Sequence, residues 1–542
     1  MKQTLRQNGT LAILLCFVAG FAYRCVMSLH GIDHIDLGFC HTYYQNFFSH
    51  PDALIYNHLY YLTGFVGGLI EQGLGAGGLL VFRMFEALML TGAIFFLWLA
   101  ARPWLSQRWA IAAVLLSFLF PPVIITFHHN TLSFLLCAMA IWCSVRGWQS
   151  KKWGWWVFAA GVIWGIAFFA RLVNASWLSL VIVFFFHGYV RDKWRTAFSE
   201  AAVWLGGVAV GVGLVLGVLM PCLGHTPYFF QCVADTFGIF RGSDTAPTHT
   251  GASLFAVYFK TLLNLLLQMV AVATMWFVFV RSARWKRPVQ IPVLLLLAVG
   301  YAVLVLTNNI RLTLLASCML LCWPALKPLT PLTPFTPKFF IILSTLATLA
   351  FPFGSDLGID HIFQWTAGLM IFPATLGAQV LSKNRRMKTA LIVGYLIVAT
   401  AALWRMVSHA HWEENWRTED TCQTQSPLLN AYVTEQHAAQ LDSLMNYINA
   451  NLAEGQPLLI VGQESELYYA CHALPFIGIT QMKHYEGDDL ARIIEQQRTK
   501  FALDPLIVVV SHGDDEEDVN AMREVVERYY NIGKTPKDSE KH

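Results

Sequence analysis

Apolar runs about the length of a bilayer crossing recur through the first three quarters of this chain, and they constrain its fold more than any other feature. A membrane-spanning helix needs about 20 mostly apolar residues. Thirteen such stretches can be marked, at 10–29, 79–100, 109–127, 131–146, 154–170, 174–190, 201–223, 253–280, 289–308, 312–326, 339–353, 363–382 and 389–406. Composition supports reading them as spans. Of 542 residues, 56% are apolar and 13% are charged, where a soluble chain carries roughly 25% charged residues. Disorder, a coiled coil and a disulfide scaffold are excluded as descriptions of the whole chain. A net charge of only +3 excludes a soluble nucleic-acid binder. The expected fold is a polytopic α-helical membrane protein with about thirteen transmembrane helices and a C-terminal α/β domain outside the cytoplasm.

Charge is sharply segregated. Residues 413–542 hold 23 acidic and 10 basic side chains, while residues 1–412 hold 11 and 27. A break of this size marks a domain boundary near Trp412, giving a membrane domain over 1–412 and an acidic domain over 413–542. With the N-terminus in the cytoplasm, the inward loops carry 20 Lys and Arg. The outward loops before the tail carry three, Arg171, Arg241 and Arg311. This bias fits the positive-inside rule, and thirteen crossings then place the tail outside. The first apolar run is too long for a typical signal h-region and lacks a clear cleavage site, so it reads as a retained helix. The cysteines show no metal-ligand spacing, and Cys422 and Cys471 in the tail are the pair that can form a disulfide.

Eight of the first 11 acids face outward in this topology. Most follow simple segregation away from Lys and Arg, but the first outward loop, 30–78, contains no Lys or Arg and is unusually long. From Tyr43 to Leu74 it alternates aromatic, aliphatic and polar residues, which predicts one or two amphipathic helices in the interface, broken near Pro51. Just before it, Asp33 and Asp36 lie at the outer end of the first helix, where a carboxylate can take a proton from a water-soluble nucleophile beside a lipid head group. The bland reading of Asp33 is a helix cap. His30 and His34 are four apart with Asp33 between them, a weak basis for a divalent metal. The segment Gly31-Ile-Asp-His-Ile35 recurs at Gly358–Ile362 without wider similarity and is read as coincidence.

Several motifs resemble those of the GT-C superfamily of integral-membrane glycosyltransferases, which includes the protein O-mannosyltransferases, aminoarabinose transferases and oligosaccharyltransferases. Asp36-Leu-Gly-Phe39 lies where that family carries an Asp-Glu-Gly-Phe/Tyr-like motif. Gly161-Val-Ile-Trp-Gly165-Ile-Ala-Phe-Phe-Ala-Arg171 is similar to its G-x-x-x-G-x-A-x-x-x-Lys/Arg run. Asn309-Ile-Arg311-Leu opens a late helix as an Arg-Tyr segment does in many members. In the tail, Pro457–Gly462 and Glu466-Leu-Tyr-Tyr469 resemble its external strand and following helix. The sequence departs from the pattern at Leu37, in the usual Glu position, and at His128-His-Asn-Thr131, where many members place an Asp.

The resemblance implies transfer of a sugar from a polyprenyl-phosphate donor to a glycan, lipid or protein acceptor. It implies Asp36 as base, with Asp33 as a second candidate. Arg171 and Arg311 become candidate donor-phosphate ligands, with Arg241 closing over the donor, and His34, His128, His129 and Asn130 further pocket residues. Membrane lipids are expected partners, nucleic acid is not, and no metal site is assigned. The implied location is the outer face of a bacterial inner membrane. For each arginine the competing reading is snorkelling to the interface. Arg83 and Glu86, three apart on one helix, are expected to pair with each other. A proton or ion path through them would instead mark a transporter or flippase, the alternative to an enzyme beside an inactive binder of lipid-linked glycans.

Overall fold

The computed structural model describes residues 2–120, 126–240, 251–307, 310–326, 336–355, 358–408, 421–480, 487–510 and 516–530. Arg241, the boundary expected near Trp412 and the last ten residues lie outside the described residues. The chain opens with α1 (Lys2–Met27), the first-loop helices α2 (Asp36–Asn46) and α3 (Tyr61–Leu74), and α4 (Gly78–Ala101). There follow α5 (Gln107–Leu119), α6 (His129–Gln149), α7 (Trp153–Ala167) and the long α8 (Val181–Leu214), bent at Asp192 and Lys193. A stub α9 (Met220–Leu223) leads to α10 (Thr226–Phe240), α11 (Gly251–Arg281), α12 (Arg287–Thr307) and α13 (Ile310–Leu326). The bundle ends with α14 (Thr336–Ala350), α15 (Gly358–Thr366), α16 (Gly368–Leu381) and α17 (Arg385–Ser408).

Each of the thirteen expected stretches overlaps one of these helices. Among the described residues, seven helical stretches are long and apolar enough to cross a membrane, and five further apolar helices are shorter. One of the seven, Leu172–Leu223, contains two expected spans joined at the α8 bend. The chain is therefore a polytopic helical membrane protein. Leu263, Leu267, Val270 and Phe277 of α11 and Leu295 and Leu296 of α12 are exposed, the surface expected where lipid tails are the solvent.

The glycine run ahead of Arg171 has a packing role. A Cβ on Gly161 would lie 2.2 Å from the Trp204 carbonyl oxygen, and one on Gly165 would lie 2.3 Å from that of Val208. Gly207 and Gly211 meet α7 in the same way, at 2.2 Å from the Phe158 and Val162 oxygens. Small residues four apart on both helices thus let α7 and α8 pack backbone to backbone.

The tail begins with β1 (Thr421–Gln423) antiparallel to β2 (Tyr432–Thr434), followed by α18 (Glu435–Asn451). β3 (Leu458–Val461) then leads to α19 (Glu466–Ala470) and α20 (Gly487–Arg498). β4 (Leu506–Val509) runs parallel to β3, and α21 (Glu516–Glu527) follows. Cys422 and Cys471 are free thiols rather than a disulfide, so the tail is held by its core. That core is shared: Ile32, Leu37 and Leu79 are buried in one apolar cluster with Leu429, Val433, Leu467 and Tyr468. The tail also bridges to the first loop through backbone bonds between Gly31 and Tyr432 and between Tyr432 and Leu29, both 2.8 Å.

Candidate active site at the tail-side helix ends

The turn from α1 to α2 is fixed from three directions. Arg83 of α4 is buried and donates to the carbonyls of Ser28 at 2.5 Å, His30 at 3.2 Å and Gly31 at 2.5 Å. It does not pair with Glu86, whose Oε1 accepts from Thr131 at 2.6 Å. The two side chains are three apart on α4, yet backbone carbonyls at the end of α1 capture the guanidinium. Arg24 is fully buried, its guanidinium makes no hydrogen bond, and Glu86 lies within its electrostatic reach.

Asp33 caps α2, its Oδ1 accepting the backbone N–H of Ile35 at 2.7 Å and of Asp36 at 3.0 Å. Its Oδ2 is buried without a partner. Burial pushes this carboxyl up from the ordinary Asp range, against the pull of the two N–H groups and the charges of His34 and Arg83. Asp36 is half-buried and opens α2.

The tail supplies the third hold. Ser465 Oγ donates to the carbonyls of Ile35 at 2.5 Å and His34 at 2.9 Å, and Ser465 N–H donates to His34 at 2.9 Å. His34 Nδ1 lies 3.1 Å from Oε1 of the fully buried Glu466, and its ring rests 4.6 Å from that of His437. Burial alone would lower the His34 pKa. The bonded carboxylate of Glu466, with Glu464 and Asp33 nearby, instead lifts it to about 9. Burial pushes the Glu466 carboxyl up from the ordinary Glu range, while the charge and hydrogen bond of His34 pull it down. A Cβ on Gly38 would lie 1.9 Å from the Ser465 oxygen, so only glycine admits the tail here. Leu37, at the position where the resembled family carries an acid, is buried in the core shared with the tail.

α2 is tied in turn to the segment entering α6. His41 Nε2 lies 2.6 Å from Thr126 Oγ1, and Tyr44 OH donates to the Phe127 carbonyl at 3.0 Å. Phe39, one turn beyond Asp36, touches Tyr60 with ring centres 5.9 Å apart. Tyr60 stacks on His129 at 4.1 Å, His129 lies 4.7 Å from His128, and His128 lies 5.1 Å from Trp365 of α15. Asn130 Nδ2 donates to His128 Nε2 at 3.3 Å. Arg171 is buried where α7 gives way to the next helix, donating to the Phe351 carbonyl at 3.2 Å and lying 5.6 Å over the Phe351 ring. Its charge reaches both His128 and His129.

The expected residues thus fall into two groups, Asp33, His34 and Asp36 in one turn, and His128, His129, Asn130 and Arg171 in the other. Phe39 and Tyr60 join them. Arg311 is buried in the first turn of α13. Tyr60, Trp365, Ser465 and Glu466 escape a site reading of the sequence, because each comes from a distant segment and resembles an ordinary core or helix residue. Among the described residues no three His, Cys, Asp or Glu side chains gather to hold a metal ion.

Residues 73–220 match the family model of dolichyl-phosphate-mannose-protein mannosyltransferase, a stretch that holds His128 to Asn130 and Arg171 and begins after Asp36. Over this stretch, well under half of the chain, the membrane region is similar to that family. Among solved structures, the chain is similar to the oligosaccharyltransferase of Archaeoglobus fulgidus. With that protein's zinc and sulfate complex it shares 13% identity and a TM-score of 0.48, over 85% of this chain and 62% of the other. The apo form gives 13% and 0.46 over 96% and 72%. A complex with an inhibitory peptide and a dolichol-phosphate gives 13% and 0.42 over 85% and 64%. In the first of these the chain spans less than two thirds of the other protein's length. No curated protein matches the sequence.

Proposed function

We propose that this protein is a glycosyltransferase that moves a sugar from a polyprenyl-phosphate donor to an acceptor at the outer face of a bacterial inner membrane. In this reading thirteen helices cross the bilayer, the N-terminus is cytoplasmic, and the domain at 413–542 lies outside. Asp36 accepts the proton of an acceptor hydroxyl or amine. The nucleophile forms the new bond to the anomeric carbon as the bond from that carbon to the phosphate oxygen breaks. The electron pair leaves with the phosphate, where Arg171, Arg311 and Arg241 offset the growing charge. Asp33 and His34 hold the Asp36 turn, and a glycan, lipid or protein serves as acceptor.

One observation carries the reading: a row of ring contacts runs from the helix that Asp36 opens, through Phe39, Tyr60 and His129, to His128, which lies within electrostatic reach of the buried Arg171. An acid and a cation from remote parts of the chain are thereby held at one end of the bundle. The family match over 73–220 supplies the chemistry such a pair would serve. The test is Asp36→Asn in the full-length protein in lipid vesicles, supplied with undecaprenyl-phosphate-linked sugars. Transfer should fall by about 10²- to 10⁴-fold while undecaprenyl phosphate still binds. Undiminished transfer would remove Asp36 as the base. Arg171→Gln should weaken undecaprenyl phosphate itself.

A further inference from the structure

Three polar side chains where α6 begins are buried and keep an atom without a hydrogen-bond partner among the described residues: Nδ1 of His128, Oδ1 of Asn130 and Nε1 of Trp365. Orphaned buried polar groups are rare, and each calls for a physical account. These three are neighbours, since the His128 and Trp365 rings are 5.1 Å apart and Asn130 Nδ2 lies 3.3 Å from His128 Nε2. Because that amide N–H donates to Nε2, the imidazole proton sits on Nδ1. The unpaired set is therefore two donors, His128 Nδ1–H and Trp365 Nε1–H, and one acceptor, Asn130 Oδ1.

The mixture discriminates among occupants. A polyprenyl tail would satisfy none of the three, and a phosphate would meet the Asn130 oxygen with another acceptor. A ligand cation would face Arg171, whose charge reaches His128 and His129. A hydroxyl both donates and accepts, and several on one ring can serve two donors and an acceptor together. The surrounding rings suit the C–H faces of such a ligand, and the row passes from buried Trp365 and His128 to half-buried His129 and Tyr60. We propose that His128, Asn130 and Trp365 form the subsite for the hydroxyls of the donor's sugar ring, with Arg171 marking its phosphate side. This rests on the reading of the chain as a polyprenyl-phosphate-sugar transferase and assigns that reaction a sugar-recognition site.

The test compares binding of undecaprenyl phosphate with binding of its mannose-, glucose-, galactose- and arabinose-linked forms to the purified full-length protein. The wild type should bind at least one glycosylated lipid at least about tenfold more tightly than the bare one, the scale of one or two well-made hydrogen bonds. Trp365→Phe keeps an aromatic ring and removes the N–H, and Asn130→Leu removes the acceptor together with the amide that bonds His128 Nε2. Each should erase most of that preference and leave the affinity for bare undecaprenyl phosphate unchanged, which also reports that the variant is folded. A wild type without the preference, variants that keep it, or variants that weaken both lipids equally would each overturn the subsite. An Arg171→Gln protein that binds bare undecaprenyl phosphate normally would sink the phosphate assignment instead, leaving the sugar preference to be judged by the other arms.

Discussion

The two ends of α6 carry polar clusters of opposite character. At its C-terminal end, fully buried Glu200 accepts from Trp148 Nε1 at 2.8 Å, and His187 Nδ1 lies 2.9 Å from each of its oxygens. Trp148 and His187 stack at 4.7 Å, and Phe339 meets His187 edge-on at 4.7 Å. Both Glu200 oxygens are engaged, and the cluster joins α6 to both limbs of α8 across the bend at Asp192 and Lys193. At the N-terminal end of this 21-residue helix, His128 and Asn130 each keep an unpaired atom. A completed buried network rigidifies its surroundings and asks for nothing more, whereas an incomplete one costs stability unless something else completes it. The first is a staple and the second is fit to receive a ligand.

Glu200→Ala should therefore have the largest effect on stability. It would leave the buried His187 and the half-buried Trp148 donors unpaired, a loss of about 2–4 kcal/mol, read as a lower thermal midpoint in detergent micelles. An unchanged midpoint would break the comparison. Gly38→Ala comes next, because its Cβ would run into the Ser465 carbonyl. Overpacking of this kind costs about 1–3 kcal/mol, and hydrogen exchange should rise at Ser465 to Ala470. Slow exchange there would mean that the tail does not hold the turn between α1 and α2.

A smaller effect should follow pH. The folded His34 pKa is raised to about 9, so its bond to Glu466 contributes fully below the ordinary His range and is lost as pH rises through about 9. Amides of residues 33–37 should lose protection over that interval, and Glu466→Gln should flatten the dependence by removing the charge while keeping an acceptor. Glu466, Glu464, His437 and its own neighbour Asp33 face His34. A wild-type profile flat to pH 10 would remove the ion pair. Asn130→Leu should change stability least, by roughly 1 kcal/mol, because it deletes an already unsatisfied oxygen and a single long bond to His128 Nε2. If it proved as damaging as Glu200→Ala, the two ends of α6 would be alike.

Much of the fold was legible because period and hydropathy are local. Leu458–Val461 reads as a buried strand and is β3, and Leu506–Val510 differs from β4 by one residue. The sequence over Asp442–Leu452 reads as a helix, and in the structure that helix begins earlier, at Glu435, capped by Thr434, because its first turns are polar and carry little hydrophobic signal. The amphipathic pattern is visible only from Tyr43, seven residues after the helix itself begins. α2 starts at Asp36 and is almost wholly buried, its faces covered by the tail and by the segment entering α6. Asp33 was legible both as an acid and as a cap, and the structure shows it capping.

Residue order alone determined that this chain enters a membrane as helices, since an apolar run of bilayer length has one way to satisfy its backbone there. It also determined where charge is scarce, and so singled out Asp36, Arg171 and Arg311. Tertiary structure decided which of those side chains share a neighbourhood. Arg83 leaves Glu86 for the carbonyls of the first turn, Ser465 and Glu466 reach back more than 400 residues to His34, and Trp365 completes the row begun by His128. Such meetings depend on which helix ends lie together in space, and contacts between segments so far apart in the chain leave no periodic trace in it.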